Sequence, residues 1–238
     1  VVSYGNIQER LSGIFRATGR GRGEKTGDMK LYVFPIAPNP TKVRLYLAEK
    51  AAVGAKIEIT EVMVNLREGE QKRTEHLSRN PFGRLPVLEL DDGTHLIESL
   101  AIIEYLEERH PDPPMIGCNA LERARVRELE RIAELGVLVP VARIIHATNS
   151  PLGLPPVPQM AAHFRGVLPD ALGVLEHRLA DGRSFVAGER PTIADCTLQA
   201  ALQFARFGNV EIDPAFSNLA RWDREYRERP SVRGVLSV

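Results

Sequence analysis

Cysteine and histidine most often carry redox and metal chemistry, and this chain scatters both. Cys118 and Cys196 are the only cysteines, too far apart for a Cys-x-x-Cys redox pair or a zinc knuckle. The six histidines form no HxxxH or HxxH pair on an expected helix. The reading is no metal, no structural disulfide and a reducing compartment, of which the cytoplasm fits best. Other polar residues hold better positions. Glu98 and Ser99 stand where a helix begins, and the N–H groups and hydroxyl at such an end suit a carboxylate, with Glu98 free to take an ammonium. A capping serine and a dipole-neutralising glutamate would look the same. Arg143 and His146 share a helical stretch and could border a pocket, but a solvated helix face explains them better.

The elements that must position these residues follow from pattern. Residues 30–34 (Lys-Leu-Tyr-Val-Phe) are rich in strand formers and read as a short buried strand. After Pro35, Pro38 and Pro40 a helical pattern runs from Thr41 to Lys50, with Val43 and Leu47 one turn apart. Ile57 and Ile59 alternate with Glu58 and Thr60 and lead into Val62 and Val64, a second strand. Glu68 to Ser78 is polar and reads as a short exposed helix. Pro86-Val-Leu-Glu-Leu, Asp91-Asp92-Gly93 and Thr94-His95-Leu96 form a hairpin signal. Leu100, Ile103 and Leu106 then continue as a helix to His110. The order β-α-β-α-β-β-α implies an α/β half with a helix-covered mixed sheet whose last pair is antiparallel.

Behind this half, Pro111-Asp-Pro-Pro reads as a linker and the composition changes. Ala120 to Arg143 is charged and helical, Pro151 to Pro158 breaks the pattern, and Leu168, Leu172, Leu175 and Leu179 mark a further amphipathic helix that Gly182 can end. Thr192-Ile-Ala-Asp195 has the form of a capping box, and a last helix spans about Phe216 to Glu228, with Trp222 in its core. The expected organisation is an extension over 1–28, an α/β domain over 29–110, a linker over 111–118 and an all-helical domain over 119–238. Glu9, Glu24 and Asp28 weaken any reading of the first segment as a targeting sequence. Lys plus Arg and Asp plus Glu each number 31, so no net charge points to nucleic acid or an anionic membrane. No apolar stretch approaches the roughly 18 to 20 residues that cross a bilayer.

Two motifs now stand in one order. Arg84-Leu85-Pro86-Val87-Leu88 is followed about a dozen residues on by Ile97-Glu98-Ser99, and Pro191-Thr-Ile-Ala-Asp195 comes in the helical half. From Met29 to the C-terminus the chain resembles the cytosolic glutathione transferase superfamily. Ala37-Pro38-Asn39, with Gln71, is most similar to its bacterial Nu class. The resemblance implies a thioredoxin-like glutathione-binding domain followed by an all-helical bundle, a homodimer, and a hydrophobic electrophile or disulfide as second substrate.

It also implies site roles. Leu85 would pair with the cysteinyl peptide of glutathione through a backbone turned outward by a cis bond to Pro86. Glu98 and Ser99 would hold the γ-glutamyl ammonium and carboxylate, and Gln71 would contact the tripeptide. Arg84 would meet a carboxylate or simply lie at the surface. Ala37 stands where family members carry the Ser or Cys that faces the sulfur, which makes thiol-transfer chemistry through a protein cysteine inconsistent with this chain. Asn39 is then the first choice to stabilise the thiolate and Thr41 the second, with capping of the first helix as the other reading of Thr41 and a backbone N–H as a third donor. Tyr32 lies on the strand and is read as packed, and Asp195 as structural. A non-catalytic binding or interaction module is the alternative that Ala37 favours.

Overall fold

The computed structural model describes residues 29–236, so the reading of residues 1–28 as an extension lies outside them. The first strand forms one residue early, as β1, Met29–Val33. Leu31 and Val33 are buried on one face and Tyr32 on the other, the alternation of a strand covered on both sides. β2, Ile59–Met63, runs parallel to β1, whereas β3, Val87–Glu89, and β4, His95–Ile97, pair antiparallel. The spatial order is β2-β1-β3-β4, the mixed four-stranded sheet expected from the sequence. In the hairpin, the Leu90 N–H donates to Thr94 O at 2.8 Å and Gly93 takes φ 80°, a conformation few other residues accept.

Three helices complete this half: α1, Pro38–Ala52; α2, Thr74–Arg79; and α3, Ser99–Arg109. α1 starts three residues before Thr41, because Pro38 fits the first helical position, where no N–H is needed. Thr41 is therefore not its cap. Ala37 holds the N-cap position, and Thr41 sits inside the first turn. The polar stretch read as one exposed helix is split. Glu70–Lys72 forms a 3₁₀ turn before α2, and both Gln71 and His76 point inward and are buried. Polarity along the segment did not reveal this, since two of its polar side chains serve as internal struts.

The second half is helical: α4, Ala120–Ala133; α5, Val139–Thr148; α6, Pro158–Arg178; α7, Ile193–Phe207; and α8, Ser217–Arg227. The helix expected over Ala120–Arg143 is interrupted by a π turn at Glu134–Leu138. Pro140 has no N–H for the preceding turn, and a wider turn relieves the clash of its ring with that turn's carbonyl. The same turn carries Gly136 against α6, where a Cβ would overlap Ala171. α7 is the central helix, with every residue from Ile193 to Ala205 buried. Its start is fixed by Asp195, which accepts from the N–H and hydroxyl of Thr192 and from the Val186 N–H, each at 2.8 Å. Asp195 is structural, as read. Trp222 is fully buried in α8.

One buried ion cluster joins the halves. Lys42 on α1 reaches Glu130 on α4 and Glu134 in the π turn, each at 2.7 Å, and the Lys42 and Glu130 side chains have no exposure. The Thr197 hydroxyl on α7 also donates to Glu130, at 3.2 Å. α1, which carries Asn39, is thereby pinned against the helical half.

Candidate functional site

The start of α1 offers few donors. Pro38 and Pro40 have no N–H, and the Ala37 and Thr41 N–H groups are taken by Phe34 O and Ala37 O, at 3.0 and 3.1 Å. Asn39 thus supplies the free backbone N–H of this turn as well as a side-chain amide. No acidic residue offsets the positive end of α1 in its first turn. Thr41 is fully buried, with its hydroxyl 3.0 Å from both Pro35 O and Ala37 O, so the structure turns it away from the surface.

At the start of α3, Glu98 is the N-cap residue and takes φ 73° and ψ 119°. A non-glycine residue there is strained by about 1–3 kcal/mol. Among the described residues its exposed carboxylate has no hydrogen-bond or ion-pair partner. Ser99 is buried, and its hydroxyl donates to Asn39 Oδ1 at 3.2 Å. A residue expected at the sulfur and one expected at the γ-glutamyl carboxylate therefore touch. Because Oδ1 accepts from Ser99, the amide of Asn39 faces elsewhere with Nδ2 as a pure donor.

Leu85 precedes β3, and the Leu85–Pro86 peptide is cis, as anticipated. Outside the strand ladders neither the N–H nor the C=O of Leu85 has a partner among the described residues. The loop before it is held rigidly: His76 and Asn80 both donate to Arg84 O at 3.0 Å. Burial lowers the pKa of His76, so the ring is a neutral strut. Gly83 takes φ 60°, and a Cβ there would lie 2.7 Å from Gln71 O. Gln71 is thus brought beside this loop. Its Nε2 donates weakly to Leu66 O at 3.4 Å, and its buried Oε1 has no partner among the described residues. The Arg84 side chain is exposed and lies over the Phe82 ring, 5.9 Å from its centre, which is the surface position left open by the sequence.

A small, open apolar cleft with a volume of about 80 Å³ lies where the halves meet. Phe34, Ile36, Ala37 and Pro38 form one wall, Leu66 and Arg67 the rim after β2, and His146, Leu152, Phe204 and Phe207 the helical wall. The sequence favoured a solvated face for Arg143 and His146, and the structure separates them. Arg143 is exposed, whereas His146 turns inward into the cleft. Burial, and then the charge of Arg143, lowers the His146 pKa and leaves the ring neutral. Its Nδ1 is 2.9 Å from Ser150 Oγ, which accepts from the Leu152 N–H at 3.2 Å and so orders the covering loop. Tyr32 lies on the other face of the sheet and donates to Glu89 at 2.7 Å. Burial, then that bond, pushes its pKa up to about 12, and the residue is not among those lining the cleft. Among the described residues no cluster of His, Cys, Asp and Glu is placed to hold a metal, and no helix is long and apolar enough to cross a membrane.

Comparison with known proteins decides the family. Residues 31–114 match the model of the glutathione S-transferase N-terminal domain, and residues 121–222 match that of the C-terminal domain. The chain belongs to the glutathione transferase family. Glutathione S-transferase 2 of Saccharomyces cerevisiae is 33% identical over 91% of this chain and 93% of its own length. Maleylacetoacetate isomerase of Pseudomonas aeruginosa is 35% identical over 78% of this chain and 85% of its own. The crystal structure of a glutathione S-transferase domain-containing protein from Marinobacter aquaeolei VT8 superposes with a TM-score of 0.78 at 35% identity, covering 85% of this chain and 99% of that one. Glutathione transferase function follows for this chain, and a non-catalytic module of the same fold is the less favoured reading. The thioredoxin-like half and the helical half are those of the family.

Proposed function

We propose that the chain binds glutathione along the loop ending at Leu85–Pro86 and activates its sulfur as a thiolate at the start of α1. The thiolate would attack an apolar electrophile in the cleft, or would open a disulfide or peroxide bond, with a second glutathione completing the reduction and leaving as oxidised glutathione. The observation that carries this reading is the Ser99–Asn39 hydrogen bond, which joins the start of α3 to the start of α1 where Ala37 and Pro38 line the cleft, with the adjacent Glu98 held strained and unpaired among the described residues. Glu98 would take the γ-glutamyl ammonium, Ser99 and the α3 N-terminus the carboxylate, and the free Leu85 backbone the cysteinyl peptide. The unpartnered Oε1 of Gln71 would accept a peptide N–H, and Arg84 would meet a carboxylate from the surface.

Thiolate formation needs only one good donor. A free thiol with a pKa of about 8.5 is a few per cent ionised near neutrality. A hydrogen bond to the charged form is worth about 1.5–3 kcal/mol, and a pKa unit about 1.4, so one donor lowers the pKa by roughly one to two units. Asn39 would be that donor through Nδ2, its backbone N–H or both. The inward hydroxyl of Thr41 counts against it as the second choice. In the transfer reaction the sulfur lone pair forms the S–C bond, the leaving group departs with its electron pair, and the thiol proton passes to solvent. With Ala37 at the usual side-chain position, no covalent bond to the enzyme would form.

The two-fold homodimer usual in the family and a cytoplasmic setting complete the reading. Retention on immobilised glutathione, followed by assays with an aryl halide, an epoxide, a peroxide and a small disulfide, tests the proposal. Retention with turnover of at least one is expected. Retention without any turnover would favour the binding module, and no retention would remove the ligand site.

A further inference from the structure

The cleft holds a cation that nothing among the described residues pairs with. Arg67 stands at its rim, and among the described residues its guanidinium takes no hydrogen bond or ion pair. Of the other arginines, Arg44 pairs with Glu61, Arg73 with Glu70 and Arg79 with Glu75, and the exposed Arg143, whose charge reaches His146, does not line the cleft. The nearby acid Glu70 is committed as well, with Oε1 on Arg73 and Oε2 accepting from the Asn65 N–H. The Arg67 backbone, by contrast, is fixed, since its N–H donates to Asn65 Oδ1 at 3.1 Å in a tight side-chain-closed turn. The chain thus aims this residue without occupying its side chain.

Among the described residues no Asp or Glu lines the cleft, and the neutral ring of His146 adds a hydrogen-bonding group without charge. The lining therefore combines aromatic and aliphatic walls with one positive charge at the mouth. A guanidinium offers a carboxylate two parallel N–H groups, and a rim cation beside apolar walls selects a ligand with both features. We infer that the second substrate is an apolar acid, an electrophile whose hydrophobic body fills the cleft and whose carboxylate pairs with Arg67. This rests on the reading of the cleft as the second-substrate site.

Calorimetry with cinnamate and its neutral amide, cinnamamide, on the full chain and on Arg67→Gln tests the inference without turnover. The parent should bind the acid roughly tenfold or more tightly than the amide, as expected for a charge-assisted contact. Arg67→Gln should abolish that difference while leaving the affinities for the amide and for glutathione unchanged. Equal binding of acid and amide by the parent, or binding of neither, would overturn it. So would a loss of glutathione affinity in Arg67→Gln, which would place the cation on a glutathione carboxylate. Turnover of a neutral aryl halide by the same preparation judges the underlying reading separately.

Discussion

Lys42→Met is expected to lower the stability of the chain by about 3–5 kcal/mol, because it leaves Glu130 fully buried without its cation. For a chain of this size that corresponds to a fall in Tm of roughly 6–20 °C. The Thr197 hydroxyl stays on Glu130 but brings no charge, and the guanidinium of Arg131, at 3.5 Å, is a poor substitute. The double variant Lys42→Met with Glu130→Leu should recover most of the loss, since a buried pair replaced by apolar groups is often neutral. Urea unfolding of the parent and both variants reads this directly. A single variant within 0.5 kcal/mol of the parent would mean that water or a shifted side chain already compensates Glu130.

Glutathione affinity should fall roughly ten- to a hundred-fold in both Ser99→Ala and Glu98→Gln, because each loses a contact to a charged group of about 1.5–3 kcal/mol. The two should differ in one respect. Ser99 also holds the amide of Asn39, so Ser99→Ala should shift the bound thiol's pKa upward, whereas Glu98→Gln should leave it alone. Glu98→Gly adds a control for strain: glycine accepts φ 73° freely, so this variant should be at least as stable as the parent while binding glutathione poorly. Calorimetry and thermal unfolding check the set. Parental affinity in either single variant would remove that residue from the site.

The sheet was legible because its signals are local. Ile57 and Ile59 alternate with Glu58 and Thr60 ahead of Val62 and Val64, although the strand that forms is the shorter Ile59–Met63, and Asp92-Gly93 between apolar runs leaves little choice but a turn. The capping box at Thr192 and Asp195 could be read for the same reason, with both partners three residues apart. Long-range pairings were not legible. Lys42 and Glu130 are 88 residues apart, and interleaved Glu and Arg on α4 looks like a solvated face until α1 is packed against it. Ser99 and Asn39, 60 residues apart, gave no sign of touching. His146 shares a helical turn with the exposed Arg143, and only the covering loop from Ser150 to Leu152 turns it into a cleft residue. The π turn hid behind an unbroken helical pattern, with Pro140 as its visible cause.

The central claim is that the start of α1 makes glutathione a thiolate, and it is tested most directly by the thiolate absorbance of bound glutathione followed against pH. The parent should show a bound-thiol pKa roughly one to two units below the free value of about 8.5, and Asn39→Ala should raise it while largely sparing affinity. If Asn39→Ala weakens binding but leaves the pKa unmoved, Asn39 belongs with Ser99 at the carboxylate end. A parent whose bound thiol titrates at the free value would contradict the account.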